Sequence, residues 1–296
     1  MKITNVHGLP QPIVNALENP TYTKGDAMYS VTELLSPPQM VQLKRLHADK
    51  LEMDASDMFW ALLGTAVHNI LEKHADEEQH ISEERIFAEL DGVTISGAID
   101  LQILRVVGRK IQDYKTTGAW AVMNEKIDWE RQLNCYAWLV EVAKNDPVTA
   151  LEIVAIIRDW SRRDAENKAG YPEAPVKVIP IRLWAFFERE QYLRERVRLH
   201  QEAYAAAEMG DPLPECTGEE MWEKESRFAI MKPNAKRATK LCDSREEAET
   251  EIASLVAAKP KDKYEITLRP GERTRCENYC SARDFCSQWA KYQEER

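Results

Sequence analysis

Two aspartates and one lysine in the first half of the sequence have the residue types and spacing of a hydrolytic metal centre. Asp100 ends a β-prone segment that begins at Ile95, and Asp113 follows in a second such segment, beyond a turn at Gly108. Residues two apart in a strand share a face, so Asp113 and Lys115 point to the same side. We therefore expect two adjoining strands to bring both carboxylates and the amine to one point.

The charges of this group decide what chemistry it can do. Two close carboxylates repel each other unless a cation neutralises them, and their hard oxygens suit Mg²⁺ or Mn²⁺ better than zinc. A cation held there could polarise a phosphodiester and acidify a bound water. Lys115 could hold that water and offset the charge developing on phosphorus. An isolated Asp-x-Lys is short, and the alternative is two turn-capping aspartates beside a solvated lysine.

Three further polar side chains lie in segments that are predicted to be helical. His68 lies in the apolar helical stretch 57–74. Gln132 and Tyr136 are four residues apart in a later helix, so they share one helical face. Taken singly, His68 and Tyr136 have the pattern of core residues.

Four motifs follow one another in an order and spacing that resemble the PD-(D/E)XK nuclease superfamily, and within it the RecB-like branch. They are Gly64-Thr65-Ala66-Val67-His68, Gly97-Ala98-Ile99-Asp100, Asp113-Tyr114-Lys115 and Gln132-Leu133-Asn134-Cys135-Tyr136. The resemblance spans roughly residues 29–184 and resumes at the cysteines near the end of the chain. It changes the interpretation of His68 and Tyr136 from core residues to site residues.

The resemblance implies a role for each matched residue. It implies metal binding by His68, Asp100, Asp113 and the carbonyl of Tyr114, and catalysis by Asp100, Asp113 and Lys115 with Gln132 and Tyr136 beside them. It further implies a Mg²⁺- or Mn²⁺-dependent deoxyribonuclease, an exonuclease of single-stranded ends in recombination, repair or phage DNA metabolism. A recombination or helicase protein would be its candidate partner. The alternative is a catalytically inactive DNA-end-binding protein with a structural zinc or iron–sulfur centre.

Three of the six cysteines are clustered near the end of the chain, at Cys276, Cys280 and Cys286. In a chain without an export signal, this clustering favours metal ligation over disulfides. The family resemblance implies a [4Fe-4S] cluster, with zinc as the alternative and three reduced thiols as a second one. The early cysteine of the family pattern is missing, so the fourth ligand is expected at Cys216, with Cys242 as the second choice.

Two basic segments are candidates for contact with DNA. The first follows a buried strand and contains Arg158, Trp160, Arg162 and Arg163, which could hold phosphates and stack on unpaired bases. The second runs from Lys232 to Lys240. For both, the alternative is a solvated surface. Glu84, on the strand before Asp100, is a weaker candidate for a carboxylate near the metal.

The elements that must position these residues form a mixed α/β pattern. A core-packed helix over 57–74, with Gly64 for close packing, precedes three strands, 81–90, 93–107 and 110–115, separated by turns at Asp91-Gly92 and Gly108. A helix after Trp129, strands over 150–157 and 176–181 and a helix over 184–209 follow. We expect a restriction-endonuclease-like mixed central sheet flanked by helices, with a C-terminal cysteine-rich lobe.

The overall composition agrees with one large domain and a smaller extension. We place an irregular lead-in at residues 1–29, the nuclease core at 30–210 and the cysteine-containing lobe at 211–296. The chain has 296 residues, 44% of them hydrophobic, and no apolar run long enough to span a membrane. We expect a cytoplasmic protein without a membrane partner. A net charge of −10 argues against indiscriminate coating of nucleic acid and leaves room for a local basic track.

Overall fold

The structure is a computed structural model that describes residues 2–19, 23–76, 78–124 and 126–294. The chain folds into two units, Met1–Pro214 and Glu215–Arg296. The division falls four residues beyond the boundary that the composition predicts.

The first unit contains eight helices and eight strands among its described residues. In chain order they are β1 (Lys2–Thr4), α1 (Gln11–Glu18), β2 (Tyr29–Ser30), α2 (Val31–Leu35), α3 (Pro38–Leu46), β3 (Glu52–Asp54), α4 (Ala55–Glu72), β4 (His80–Leu90), β5 (Val93–Leu104), β6 (Arg109–Thr117), α5 (Ala119–Met123), α6 (Ile127–Lys144), β7 (Val148–Ile157), α7 (Arg162–Asn167), β8 (Val176–Ile181) and α8 (Phe186–Met209).

The beginning of the chain is more regular than the expected lead-in. β1 pairs in parallel with β3, and α1 buries Val14 and Leu17 against Ala55 of α4. Pro12 lies in the first turn of α1. A proline costs no hydrogen bond there, because the first N–H groups of a helix have no intrahelical partner.

Six strands form the central sheet, in the order β2-β5-β6-β7-β8, with β4 also paired to β5. β4, β5 and β6 are an antiparallel meander, β6 and β7 are parallel, and β8 returns antiparallel to β7. Turns at Asp91-Gly92 and Gly108, all with positive φ, set the ends of the meander strands. The expected mixed sheet flanked by helices is confirmed.

One side of β5 pairs with β4, and the other side pairs with two different strands, β2 and β6. Between these two strands, this side of β5 has no described ladder partner. β2 pairs with Ile95 and Ser96, whereas β6 pairs only with residues 101–104. The β5–β6 ladder therefore ends at the pair Leu101 and Gln112, one residue before Asp100 and Asp113. β6 continues beyond this point in register with β7.

α6 packs across this sheet and forms the main core with it. Its side chains Leu133, Trp138 and Leu139 are buried against Ile99 and Ile153 of the sheet. Gly97 permits the close approach, since a Cβ at this position would lie 2.8 Å from the ring of Tyr136 and from Leu139.

The prediction that α4 is packed into the core is wrong. Met58 and Leu62 contact the small cluster around α1, but Ala55 is the only residue of α4 that is fully buried. Phe59, Trp60 and Ile70 are exposed to 38%, 51% and 59%. Gly64 makes no close packing contact with a neighbouring element, because no described atom lies within 4 Å of a Cβ added at this position. The periodicity predicted the helix correctly, but it does not reveal how much of the apolar stripe is covered.

The second unit contains a small three-stranded sheet and several short helices, one of which carries Cys276. Its elements are α9 (Gly218–Met221), β9 (Glu223–Lys224), β10 (Arg227–Met231), β11 (Lys240–Cys242), α10 (Arg245–Ala258), β12 (Glu265–Arg269), β13 (Glu272–Arg273), α11 (Thr274–Asn278) and α12 (Ser287–Glu294). The three-stranded sheet β11-β10-β12 packs Ile230 and Cys242 against Ala248 of α10. β9 and β13 form a separate pair. None of the described helices in either unit has the length and apolarity needed to cross a bilayer.

Candidate active site

Asp100 and Asp113 lie where β5 and β6 separate. Asp113 is on β6 opposite Ile153 of β7, and only 2% of its surface is exposed. The Tyr114 N–H donates to Asp100 Oδ2 at 2.7 Å, so a side chain supplies the acceptor that the ended β5–β6 ladder does not. Both carboxylates thus lie together at the point where β5 and β6 separate.

His68 approaches this opening from α4. Its Nε2 lies 3.2 Å from the carbonyl oxygen of Tyr114, and its Nδ1 lies 3.5 Å from Asp100 Oδ1. The same Nδ1 lies 3.2 Å from Glu83 Oε1. One ligand atom from each of His68, Glu83 and Asp100 therefore lies within 4.8 Å of the others, a spacing compatible with a shared metal ion.

Lys115 is held from two sides. Its ammonium lies 2.6 Å from Asp113 Oδ2 and donates to Gln132 Oε1 at 2.9 Å. Gln132 in turn donates to the hydroxyl of Tyr136 at 2.8 Å, across one turn of α6. The packing of Tyr136 on Gly97 fixes this chain of contacts, so α6 orients the amine of Lys115 toward the carboxylates.

The protonation equilibria reflect crowded charges. Burial raises the pKa of Asp100 to about 7, and the neighbouring charge of Asp113 adds to the rise. The hydrogen bond with Glu83, followed by the charge of Asp100, raises the pKa of His68 to about 9. Without a cation, the site therefore keeps protons that ordinary aspartate and histidine side chains would release.

The donor set fits a divalent cation. Asp113 Oδ2 is buried and accepts no hydrogen bond of good geometry from any described residue, although the charge of Lys115 lies beside it. The carbonyl of Tyr114 faces the imidazole of His68. Carboxylate and carbonyl oxygens suit Mg²⁺ and Mn²⁺, and an imidazole is also acceptable to Mn²⁺.

The sequence matches the family model of the PD-(D/E)XK nuclease superfamily over residues 61–287, well over half of the chain. The chain belongs to this superfamily. Among solved structures, SSO0001 is similar at a TM-score of 0.43 and 16% identity, over 64% of this chain and 82% of its own. No curated protein matches the sequence significantly.

Membership of the PD-(D/E)XK superfamily makes this chain a metal-dependent nuclease, a hydrolase of phosphodiester bonds. The central sheet is consistent with the restriction-endonuclease-like fold of that superfamily. The structure of this chain brings together the seven residues to which the family resemblance gives a role, namely His68, Asp100, Asp113, Tyr114, Lys115, Gln132 and Tyr136.

In this PD-(D/E)XK nuclease, the carboxylate beside His68 belongs to Glu83, whereas the sequence pattern indicated its neighbour Glu84. Glu84 accepts from Gln102 at 2.7 Å and pairs with Lys144 at 2.5 Å, contacts that do not include the metal group. Glu83 has φ +50°, a left-handed conformation that is uncommon for glutamate. This local twist turns its carboxylate toward His68, and simple strand alternation gives no signal of it.

The four residues proposed for DNA contact have different surroundings in the first unit of this PD-(D/E)XK nuclease. Arg158 is exposed at the end of β7, and Arg162 and Arg163 are exposed on α7. Trp160 packs against Ala119 and Ile157, and its indole N–H donates to the Pro172 carbonyl at 2.8 Å. Its ring is therefore engaged in packing, whereas Trp60 of α4 is exposed.

In the second unit, Cys216 is joined to the segment that carries the other three thiols. Its backbone N–H donates to Gln288 Oε1, and the Gln288 amide donates back to its carbonyl, both at 2.9 Å. Burial raises the pKa of Cys216 to about 12, with contributions from Glu220 and from Cys286, Cys276 and Cys280. Cys242 is buried elsewhere, with Ile230 and Ala248. The structure thus groups Cys216, and not Cys242, with the clustered thiols.

Proposed function

We propose that this nuclease is a Mg²⁺- or Mn²⁺-dependent deoxyribonuclease of the RecB-like branch, acting in the cytoplasm as an exonuclease on single-stranded ends. The observation that carries the proposal is the convergence of Asp100, Asp113 and Lys115 at the opening between β5 and β6, with His68 facing the Tyr114 carbonyl. A setting in recombination, repair or phage DNA metabolism rests on the family resemblance alone.

Each residue of the centre has a distinct task in this proposal. His68, Asp100, Asp113 and the carbonyl of Tyr114 hold the cation, and Glu83 fixes the imidazole of His68 through Nδ1. The bound cation supplies Lewis acidity to the phosphodiester and makes water more acidic. Lys115 offers its ammonium to the attacking water or to a non-bridging phosphate oxygen. Gln132 and Tyr136 keep the amine of Lys115 in place.

Cation binding requires the site to lose protons. The imidazole of His68 must be neutral to ligate, and the carboxylate of Asp100 must be ionised. Because the pKa values of both groups are raised in the structure, proton release accompanies binding. His68 and the hard oxygen donors together favour Mn²⁺ over Mg²⁺ in affinity.

The proposed DNA contacts are Arg158, Arg162 and Arg163, whose exposed guanidinium groups can hold phosphates near the carboxyl ends of β6 and β7. The packed ring of Trp160 supports the loop that carries them. A recombination or helicase protein would deliver the DNA end.

We propose further that Cys216, Cys276, Cys280 and Cys286 hold a [4Fe-4S] cluster, with zinc as the alternative metal. The support is the pair of hydrogen bonds between Gln288 and the backbone of Cys216, hereafter the Gln288 clamp, and the position of Cys276, Cys280 and Cys286 close enough to raise the pKa of Cys216. Burial and the neighbouring thiols raise the pKa of Cys276 to about 11, and coordination to a metal would relieve this by stabilising the thiolates.

The nuclease proposal is tested with end-labelled single-stranded DNA, duplex DNA, RNA and circular single-stranded DNA, each incubated with Mg²⁺ or Mn²⁺. We expect stepwise degradation of linear single-stranded DNA and none of the circle. Asp113→Asn and Lys115→Met should lower the rate by about 10²-fold or more.

Two neighbouring glutamates provide a matched pair for the same assay. Glu83→Gln should weaken Mn²⁺ binding by about 10–100-fold, since it removes the partner of His68. Glu84→Gln, which alters a carboxylate paired to Lys144, should leave the Mn²⁺ dependence unchanged. Equal degradation by the parent, Asp113→Asn and Lys115→Met would refute the proposed centre. Binding of DNA ends without degradation by any protein would favour an inactive end-binding protein.

A further inference from the structure

An exposed aromatic ring on α4 carries a cation on its face. The guanidinium carbon of Arg158 lies 4.1 Å from the ring centroid of Trp60. Phe59 contacts the same indole edge-on, at 5.6 Å between centroids. Trp60 is nevertheless 51% exposed. Burial of the hydrophobic core therefore does not explain the position of this side chain.

The Trp60–Arg158 pair lies beside the metal centre. The Arg158 N–H donates to the Thr117 carbonyl at 2.9 Å, and Thr117 is two residues after Lys115 on β6. Two strand residues span about 7 Å. On α4, Trp60 precedes His68 by eight residues, which is about 12 Å along the helix axis. The pair thus connects the helix that carries His68 with the strand that carries Lys115.

The combination of groups in the pair fits an unpaired nucleobase. A base has a flat π-face that stacks on an indole or on a guanidinium plane, and its phosphates attract the cation. Arg158 has no carboxylate partner among the described residues, so its charge is available to a ligand. Within a duplex, neighbouring base pairs already cover the faces of each base, and exposing one costs free energy.

A second aromatic and cation pair lies near the same end of β6. Trp120 follows Lys115 by five residues and is 65% exposed, with the Lys126 ammonium 5.4 Å from its ring centroid. Two such pairs near one strand end, in a chain of net charge −10, indicate a local surface suited to a single strand.

We propose that the Trp60–Arg158 pair stacks on an unpaired base of the substrate and thereby selects single-stranded ends. This inference rests on the proposed function and adds a specificity-determining residue to it. The stacked base would be about three or four nucleotides from the cleaved phosphate, given the ~12 Å separation along α4 and the 3.4 Å rise per nucleotide of a stacked strand.

The test measures DNA affinity in the full chain with Lys115→Met as background, so that binding is observed without cutting. Single-stranded oligonucleotides carry one abasic nucleotide at successive positions from each end, with Mn²⁺ present. In the background protein, one position should weaken binding by about tenfold when its base is missing. Adding Trp60→Ala should weaken binding of the intact strand by about tenfold and make all abasic positions equivalent. Trp60→Phe, which keeps a flat ring, should retain part of both effects.

Controls separate stacking from changes in folding. Phe187→Ala removes another exposed aromatic, on α8, and should leave affinity unchanged. Blunt duplex should bind equally to proteins with and without Trp60. The abasic scan in the Lys115→Met protein remains valid even if Trp60→Ala lowers the melting temperature, because the Lys115→Met protein retains Trp60.

Several outcomes would overturn the stacking proposal. One is unchanged affinity in Trp60→Ala, and another is an abasic scan that is the same with and without Trp60. A change in oligomeric state at constant DNA affinity would assign Trp60 to a protein interface instead. These results leave the nuclease assay untouched, whereas a parent protein that neither binds nor cleaves DNA would refute the proposed function itself.

Discussion

At the scale of single residues, Asp100 has two tasks that conflict when no cation is present. Its carboxylate accepts the Tyr114 N–H at the end of the β5–β6 ladder, and this contact stabilises the hairpin. Its charge is buried beside Asp113, which raises its pKa to about 7. The Asp100 carboxylate thus supplies the acceptor that the Tyr114 N–H needs, but its buried charge destabilises the metal-free fold.

Asp100→Asn should therefore raise the melting temperature of the metal-free protein while abolishing its stabilisation by Mn²⁺. The amide oxygen can still accept from Tyr114, and the buried charge is gone. We expect a gain of about 1 kcal/mol or more, or roughly 2–4 °C. Since the folded pKa lies above the unfolded value of 3.8, the gain is full above pH 7 and fades as the pH falls toward 3.8. Thermal melts at pH 5 and pH 8, with and without EDTA, measure it.

Asp100→Ala is the matched control for this prediction. It removes the charge and the acceptor together, and so leaves the Tyr114 N–H without its partner. We expect a smaller gain or a loss of stability. A melting temperature of Asp100→Asn below that of the parent at pH 8 would show that the charge of Asp100 is not destabilising.

The proximity of Asp100, Asp113 and Lys115 in the structure could be predicted from the sequence for a simple geometric reason. Strand alternation places Asp113 and Lys115 on one side, and the turn at Gly108 brings Asp100 near them. Glu83 could not be predicted in this way, because its positive φ breaks the alternation and no glycine or asparagine marks the position. The contact between Trp60 and Arg158 was also hidden, since it joins two segments far apart in sequence.

At the scale of elements, the two motif glycines have different physical roles. Gly97 on β5 lies against Tyr136 and Leu139 of α6, with no room for a Cβ. Gly64 on α4 has no described neighbour within 4 Å of an added Cβ. A sequence motif gives both glycines equal weight, but only Gly97 is explained by packing within the folded chain.

Gly97→Ala should destabilise the protein by about 1–3 kcal/mol, because the added methyl group must displace Tyr136 or Leu139. Displacement of Tyr136 moves Gln132, the partner of Lys115, so the cleavage rate should fall more than Mn²⁺ affinity does. Melting temperature, cleavage rate and Mn²⁺ titration check this expectation.

Gly64→Ala is the counterpart within a helix. Alanine is favoured over glycine in a helix interior by about 0.5–1 kcal/mol, so the melting temperature should stay level or rise. Destabilisation by Gly64→Ala equal to that by Gly97→Ala would contradict the difference in packing described above.

The sequence predicted the meander strands closely and α4 only in part. Turn residues with positive φ end β4 and begin β6, and such residues are visible in a sequence. The burial of α4 depends on what packs against its apolar stripe. In the first unit, α1 covers only part of that stripe, and this is a tertiary property that periodicity cannot report.

At the scale of the whole molecule, the second unit is short of buried apolar side chains. The three-stranded sheet and α10 bury Ala229, Ile230, Cys242 and Ala248, and the other buried apolar side chains described there are Met221, Ala282 and Trp289. Small units of this kind generally need a metal or other cross-link for stability. The proposed thiolate centre would supply one.

Under the proposed [4Fe-4S] assignment, Cys216→Ala should remove iron and visible absorbance and lower the melting temperature of the second unit. Cys242→Ala is the matched control, because Cys242 is a buried thiol packed on β11 away from the other cysteines. It should lose some packing stability and keep its iron. Anaerobic purification followed by iron, sulfide and zinc analysis distinguishes the two.

Loss of iron from Cys242→Ala, together with its retention in Cys216→Ala, would reverse the assignment of the fourth ligand. Colourless protein with stoichiometric zinc would show that the bound metal is zinc and not a [4Fe-4S] cluster. The sequence alone ranked Cys216 above Cys242, but it could not predict the Gln288 clamp, which joins residues 72 positions apart.

The hydrogen bond from Tyr114 to Asp100 also bears on how this protein could decay over evolutionary time. A lineage released from the need to cut could replace Lys115 first, because the hairpin does not depend on its amine. At position 100, asparagine would be the most tolerated successor, because it keeps an acceptor for the Tyr114 N–H and removes the buried charge. An inactive descendant would therefore still carry an oxygen at position 100, as an inherited trace of the catalyst it once was.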